Sequence, residues 1–219
     1  MNRIQRVGRI IRKDFLLEWR QKYSFYGILL YLISAVFAIY MLQDAPDAEM
    51  WNAFYWIILL FVSVNAVAKS FLQESRQRNL YYYTLHHPVD IILSKLIYNV
   101  LLMLVMSLIS YFLFIVLLGY PVQQSLYFML LVVSGGISMG VLFTMLAAIA
   151  SRAGGNSALI AILGFPLVVP QLILLSDLSK PLFMPMQVEA WWTFLAVLIL
   201  LDILIITLSI ILFPYLWSE

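Results

Sequence analysis

The chain has 219 residues, of which 64% are hydrophobic and only 11% are charged. Because a soluble domain averages about 45–50% apolar and about 25% charged residues, this composition excludes an ordinary soluble protein and makes lipid the solvent for most of its surface. The absence of cysteine excludes a disulfide framework, a thiolate zinc site and a thiol redox role, and a net charge of +2 does not indicate nucleic acid as a partner.

Residues 1–22 predict a basic amphipathic helix. Seven of these residues are Lys or Arg, and apolar side chains recur at the helical spacing of Ile4, Val7, Ile11, Phe15 and Trp19. A helix of this kind lies in the membrane interface, with its apolar stripe in contact with lipid. The alternative is a tail that positive charge alone holds at the membrane surface.

Six apolar segments follow, each close to the ~20 residues that a membrane-spanning helix needs. They cover residues 24–42, 52–71, 96–118, 125–150, 157–175 and 191–213. Tyr and Trp residues cluster near their ends, as expected for the aromatic belts at the two membrane surfaces. The sequence therefore predicts an all-α fold, with one polytopic membrane domain over residues 1–219.

The distribution of positive charge predicts the orientation of this domain. If the N-terminus is inside, all of the 13 Lys and Arg residues except Lys180 lie on the inner side. Short cytoplasmic loops carry an excess of such residues, so the asymmetry indicates that both termini are inside and that the number of spans is even. We expect a multi-pass protein of the inner membrane.

The loop at residues 72–95 is the longest polar interruption between the spans, and the topology places it inside. We expect it to be the docking surface for a separate subunit. Its candidate contact residues are Glu74, Arg76, Arg78, His86, His87, Pro88, Asp90 and Lys95. Pro88 suits the first turn of a short amphipathic helix that runs into the third span. For the adjacent histidines we expect a solvated turn, with haem ligation as the alternative.

The chain shows no sequence motif for catalysis. It has no G-x-x-x-x-G-K-[ST] phosphate loop, no H-E-x-x-H or G-x-S-x-G motif, and no cluster of acidic and histidine residues at metal-ligand spacing. We therefore expect no catalytic residue, no metal site and no ATP hydrolysis in this chain.

A few residues stand out inside the spans. Asp202 lies near the middle of the last one, where a charged side chain costs about 3 kcal/mol. It either faces a pathway or a partner subunit, or makes a buried hydrogen bond to a Ser, Thr or backbone group of a neighbouring helix. Gly136 and Gly140 form a small-xxx-small packing face, and Pro166 with Pro170 predicts either a hinge or a static kink in the fifth span.

These features together resemble the ABC-2 type permeases, and finer matches point to the family of haem exporter protein B (CcmB) of cytochrome c maturation. The segment RKDFLLEWRQK resembles the family's N-terminal segment, with Asp14, Glu18 and Arg20 at matching places. The segment SRAGGNSALIAILGFPLVVPQLIL resembles its fourth inner turn and fifth span. In the inner loop, Glu74, Pro88 and Lys95 match, and the resemblance covers nearly the whole chain.

The resemblance implies a permease-type subunit of an ABC complex, with a separate ATPase as its partner. Other maturation subunits, namely a haem-handling membrane protein and the haem chaperone, are further implied partners, and a second copy of the chain is another candidate. Haem is implied as a transported or handled ligand, with no cofactor resident in this chain. The alternatives are an ABC-2 exporter of a lipid, drug or polysaccharide, and a scaffold that transports nothing.

Overall fold

The structure is a computed structural model that describes residues 3–20, 22–43, 46–72, 87–152, 157–184 and 191–217. Within these ranges every long element is an α-helix, as predicted. The helices are α1 (Arg3–Arg20), α2 (Lys22–Leu42), α3 (Ala48–Leu72), α4 (Pro88–Leu118), α5 (Ser125–Arg152), α6 (Ser157–Ser179) and α7 (Trp191–Trp217). A short 3-10 helix, Lys180–Phe183, follows α6.

Five of these helices contain a segment long and apolar enough to cross a membrane. The segments are Phe25–Leu42, Ala48–Val67, Pro88–Leu118, Ser125–Ala150 and Trp191–Tyr215. The prediction of a helical membrane protein is therefore confirmed. The sixth predicted span coincides with α6, but the count of six and the orientation stay predictions.

The helix α5 is the centre of the bundle. It packs against α3, α4, α6 and α7. Of its apolar segment 61% is buried inside the protein, compared with 17% for the segment in α2 and 22% for that in α7. The two peripheral helices therefore present large apolar side chains outward, where only lipid or another apolar partner satisfies them.

The helix α4 differs from its sequence prediction, because it runs without interruption over 31 residues. The sequence assigned residues 72–95 to the inner loop and began the third span at residue 96. In the structure Pro88 occupies the first turn of α4, as predicted, and residues 88–95 belong to the same helix as the span. No glycine or second proline follows Pro88 before Gly119, so nothing in this stretch breaks the helix.

An aromatic cluster fills the end of the bundle at which α4 terminates. The ring of Trp51 stacks on Tyr55 and meets Phe114, Phe128 and Phe183 edge-on, with ring centroids 5.2–5.8 Å apart. Trp51 also donates its Nε1–H to the carbonyl oxygen of Gly119, 3.2 Å away. Residue 119 has φ of 82°, a backbone conformation that favours glycine, so α4 ends here.

Candidate functional site

The N-terminal helix is fixed to the start of α4 by ion pairs. Asp90, in the first turn of α4, accepts hydrogen bonds from Arg3 Nε at 3.0 Å and Arg6 Nε at 2.9 Å. The Asp90 residue is only 1% exposed, whereas the two arginine side chains reach solvent. A carboxylate at a helix N-terminus is also stabilised by the helix dipole. Asp90 is therefore a doubly paired anchor for the first turns of α1.

A second ion pair lies further along the same two helices. Lys95 Nζ is 3.2 Å from Asp14 Oδ2, and both side chains are 6% exposed. Next to this ion pair, the rings of Phe15 and Tyr98 meet edge-on with centroids 5.6 Å apart. We call Arg3, Arg6, Asp14, Asp90 and Lys95 the N-terminal ion-pair cluster.

The contacts of this cluster show that α1 and the start of α4 run in the same direction. Arg3 and Arg6 meet Asp90, Asp14 meets Lys95, and Phe15 meets Tyr98. With 31 residues, α4 is about 46 Å long, which exceeds the ~30 Å hydrocarbon core by about eleven residues. The first three turns of α4 and the helix α1 that packs on them therefore form a two-helix unit.

Only part of the apolar stripe predicted for residues 1–22 lies on the buried face of α1. Val7 and Ile10 are buried together with Asp14, whereas Phe15 is 50% exposed. The buried face is thus rotated towards the acidic and basic side chains that pair with α4. Glu18 and Arg20 belong to α1, but their side chains lie outside the described residues.

The inner-loop residues predicted from sequence have different positions. Asp90 and Lys95 are buried against α1 rather than displayed as a docking surface. His87 is exposed and Pro88 is half-buried at the start of α4. Glu74, Arg76, Arg78 and His86 lie outside the described residues. The sequence singled out Asp14, Asp90 and Lys95 separately but did not pair them.

An intramembrane polar cluster surrounds Asp202. Ser138 of α5 donates its hydroxyl hydrogen to Asp202 Oδ1 at 2.7 Å, and Gln171 Nε2 of α6 lies 3.4 Å from the same oxygen. Gln171 Nε2 also donates to Ser138 Oγ. This is the buried hydrogen bond that one of the two sequence interpretations expected of Asp202. The three side chains join α5, α6 and α7 at one point.

Sequence reasoning missed Gln171 and Ser138, although a signal for each was present. Gln171 is a polar residue within the apolar run of α6, directly after Pro170, and it is fully buried. Ser138 lies between Gly136 and Gly140 on the central helix. Interhelical hydrogen bonds in membranes contribute about 0.6 kcal/mol on average and at most about 1.7 kcal/mol. The cluster therefore adds a contact between the three helices whose contribution to stability is modest.

The predicted glycine face lies at the crossing of α4 and α5. A Cβ atom at Gly140 would lie 3.0 Å from Val100 Cα and 3.3 Å from the Asn99 carbonyl oxygen. A Cβ atom at Gly136 would lie 2.6 Å from Ser107 Oγ. The glycines permit a close approach, and Asn99 Nδ2 uses it to donate to Thr144 Oγ1 at 3.0 Å.

Pro166 and Pro170 do not interrupt α6, which is helical from Ser157 to Ser179. Both prolines are exposed on the outside of the bundle. The helix continues through both prolines, and the choice between a hinge and a static kink stays a prediction.

A third polar group, which the sequence did not indicate, ties α3 to α6 near the aromatic cluster. Ser179 Oγ donates to Asn52 Oδ1 at 2.6 Å and accepts from Trp56 Nε1 at 3.0 Å. Asn52 Nδ2 in turn donates to the carbonyl oxygen of Ser176 at 3.3 Å. At this end, α3 and α6 are thereby held together by hydrogen bonds, next to the ring packing of the aromatic cluster.

These features define a helical, multi-span membrane protein in which the N-terminal helix α1 is ion-paired to the start of the long helix α4. A model of the CcmB protein family matches residues 5–213. The chain therefore belongs to the CcmB family, whose members are haem export subunits of cytochrome c biogenesis. Among the curated proteins, none matches the chain.

Proposed function

We propose that this chain is the permease-type membrane subunit of an ABC complex that serves cytochrome c biogenesis in the inner membrane. The observation that carries the proposal is the match of the CcmB family over residues 5–213. ATP hydrolysis is assigned to a separate ATPase subunit, because the chain carries no nucleotide-binding motif. The other partners are the haem-handling membrane protein and the haem chaperone of the same system.

The proposed topology has six spans with both termini inside. In this topology α6 is the sixth span, in addition to the five apolar helices. The distribution of the 13 basic residues, with only Lys180 outside, supports this orientation. Under this topology the N-terminal ion-pair cluster lies on the inner side, and the aromatic cluster on Trp51 lies at the opposite surface.

Coupling to the ATPase is assigned to the segment between α3 and α4. The described part of the chain resumes at His87, three residues before Asp90. A force applied to this segment therefore reaches α4 directly and reaches α1 through Arg3 and Arg6. The helices of the complex then move as rigid bodies. This movement requires that the ATPase contacts the segment differently in its two nucleotide states. The output is haem export or the release of haem-loaded chaperone.

Deletion of the gene is expected to abolish covalent haem attachment in c-type cytochromes, and the intact chain should restore it. The measurement is haem staining and mass spectrometry of those cytochromes. An exporter of a lipid, drug or polysaccharide would leave covalent haem unchanged in the deletion strain, which would overturn the proposal. Haem trapped on the purified complex would separate a transporter from a scaffold.

Exchange of residues 73–86 for a Gly/Ser linker is expected to abolish co-purification with the ATPase, because it removes the proposed docking segment. A wider exchange over residues 84–92 would also delete Asp90 and the first turn of α4, and would therefore disturb the fold. An Asp90→Asn variant is the matched control, since it weakens the anchor of α1 and keeps the segment. Retained binding of the ATPase by the 73–86 variant would contradict the docking assignment.

A further inference from the structure

The two faces of α1 differ in composition and in exposure. Val7, Ile10 and Asp14 are buried against the rest of the protein. A stripe on the opposite side is exposed and consists, among the described side chains, of Gln5, Arg9, Arg12 and Leu16. Their spacing of four, three and four residues places these side chains on one helix face.

The positively charged side chains of α1 that the structure describes fall into two groups. Arg3 and Arg6 are paired with Asp90, and Lys13 Nζ lies 3.4 Å from Asp14 Oδ1. In contrast, no carboxylate among the described residues lies within ion-pair distance of Arg9 or Arg12. The outward face of α1 thus carries two guanidinium groups whose charge the described part of the protein does not balance.

Apolar contacts place this face at the boundary of the lipid. Phe15 packs on Tyr98, next to Ile97, where the exposed apolar stripe of α4 begins. That stripe continues through Leu101, Val105, Leu108, Phe112 and Val116. Arg12 and Arg9 precede Phe15 by one and by nearly two helical turns, or about 4.5 and about 9 Å along α1. The polar headgroup layer of each leaflet is about 5–8 Å deep, so Arg12 lies within it and Arg9 lies at its outer edge.

We propose that the outward face of α1 binds anionic phospholipid headgroups, with Arg9 and Arg12 on the phosphates and Phe15 and Leu16 against the acyl chains. The guanidinium group forms paired, charge-assisted hydrogen bonds to phosphate oxygens, which suits this contact. A lipid fits better than an acidic protein because Phe15, 50% exposed, and Leu16, 53% exposed, follow Arg12 by about one helical turn. Since α1 is ion-paired to α4, bound lipid would stabilise the start of α4 as well.

The test compares the purified full chain with an Arg9→Gln/Arg12→Gln variant by native mass spectrometry. Each protein is titrated with phosphatidylglycerol and, separately, with phosphatidylcholine. We expect the variant to bind phosphatidylglycerol about 30-fold more weakly, which corresponds to about 1 kcal/mol for each charge, and to bind phosphatidylcholine as before. Lys180→Gln, which removes an exposed base on the 3-10 helix, should leave both affinities unchanged.

Several further measurements make the proposal falsifiable. An Arg9→Lys/Arg12→Lys variant should retain most of the phosphatidylglycerol affinity, and salt should weaken binding to the unaltered protein. If the glutamine variant does not fold, an unaltered protein that binds both lipids equally at all salt concentrations would overturn the proposal. Unchanged phosphatidylglycerol affinity in a folded glutamine variant would overturn it too. If the glutamine variant keeps its full lipid affinity but no longer co-purifies with the ATPase, this face binds protein and the proposal is wrong.

Discussion

A Lys95→Met variant is expected to lose about 3–5 kcal/mol of stability, the range observed when one partner of a buried ion pair is removed. The Asp14 and Lys95 side chains are each 6% exposed, so water cannot replace the missing ammonium group. Lys13 also approaches Asp14, at 3.4 Å, but its side chain is 31% exposed and compensates only in part. The measurement is thermal unfolding of the purified protein, followed by the loss of monodisperse material on size-exclusion chromatography.

Two further variants serve as controls for Lys95→Met. An Asp14→Leu/Lys95→Met double variant removes both charges and fills the space with apolar atoms, so it should recover most of the lost stability. Arg3→Gln should have a small effect, because Arg6 still pairs with Asp90 and the Arg3 side chain is 55% exposed. If Lys95→Met unfolds at the temperature of the unaltered protein, the pair does not hold α1 to α4.

A Gly140→Leu variant is expected to prevent the bundle from assembling. The first atom of the new side chain would lie 3.0 Å from Val100 Cα, a backbone atom that cannot rotate away. The two helices would have to separate, and the hydrogen bond from Asn99 to Thr144, at 3.0 Å, would be lost with the contact. Overpacking of this kind costs about 1–3 kcal/mol for one or two methylenes and more for a whole leucine. We expect little folded protein in membrane extracts.

Gly8→Ala is the matched control for this variant. A Cβ atom at Gly8 meets nothing within 4 Å, and the residue lies in the interior of α1. Alanine should therefore be neutral, or should stabilise the helix by about 0.5–1 kcal/mol. Normal yields for Gly140→Leu would mean that α4 and α5 are further apart than this structure shows.

The positions of the helices could be predicted from the sequence because lipid leaves the backbone few choices. Residues 125–150 were predicted as a span, and α5 covers Ser125–Arg152. An apolar run in a membrane must satisfy its own hydrogen bonds and is therefore helical, so hydropathy determines its position. The start of a helix at Pro88 was predicted as well, but its first turns carry Asp90 and Lys95 and were assigned to the inner loop rather than to the span.

The pairing of side chains could not be predicted, because hydropathy does not distinguish a face covered by lipid from one covered by protein. Arg3 and Asp90 are 87 residues apart in the chain, and no local pattern relates them. Asp202 was recognised as unusual because a carboxylate in a span is rare, whereas Gln171 and Ser138 carry no charge and did not stand out. Only the packing of α5, α6 and α7 shows that these three residues meet.

The intramembrane cluster on Asp202 also bears on how the protein is made. Synthesis proceeds from the N-terminus, so α5 and α6, which carry Ser138 and Gln171, are made before α7. The carboxyl group therefore enters beside a preformed pair of polar side chains, and its desolvation is offset when α7 docks. A chain cut short before α7 leaves Ser138 and Gln171 without the carboxylate of Asp202. Such an incomplete chain would carry the kind of exposed polar signal that membrane quality control recognises.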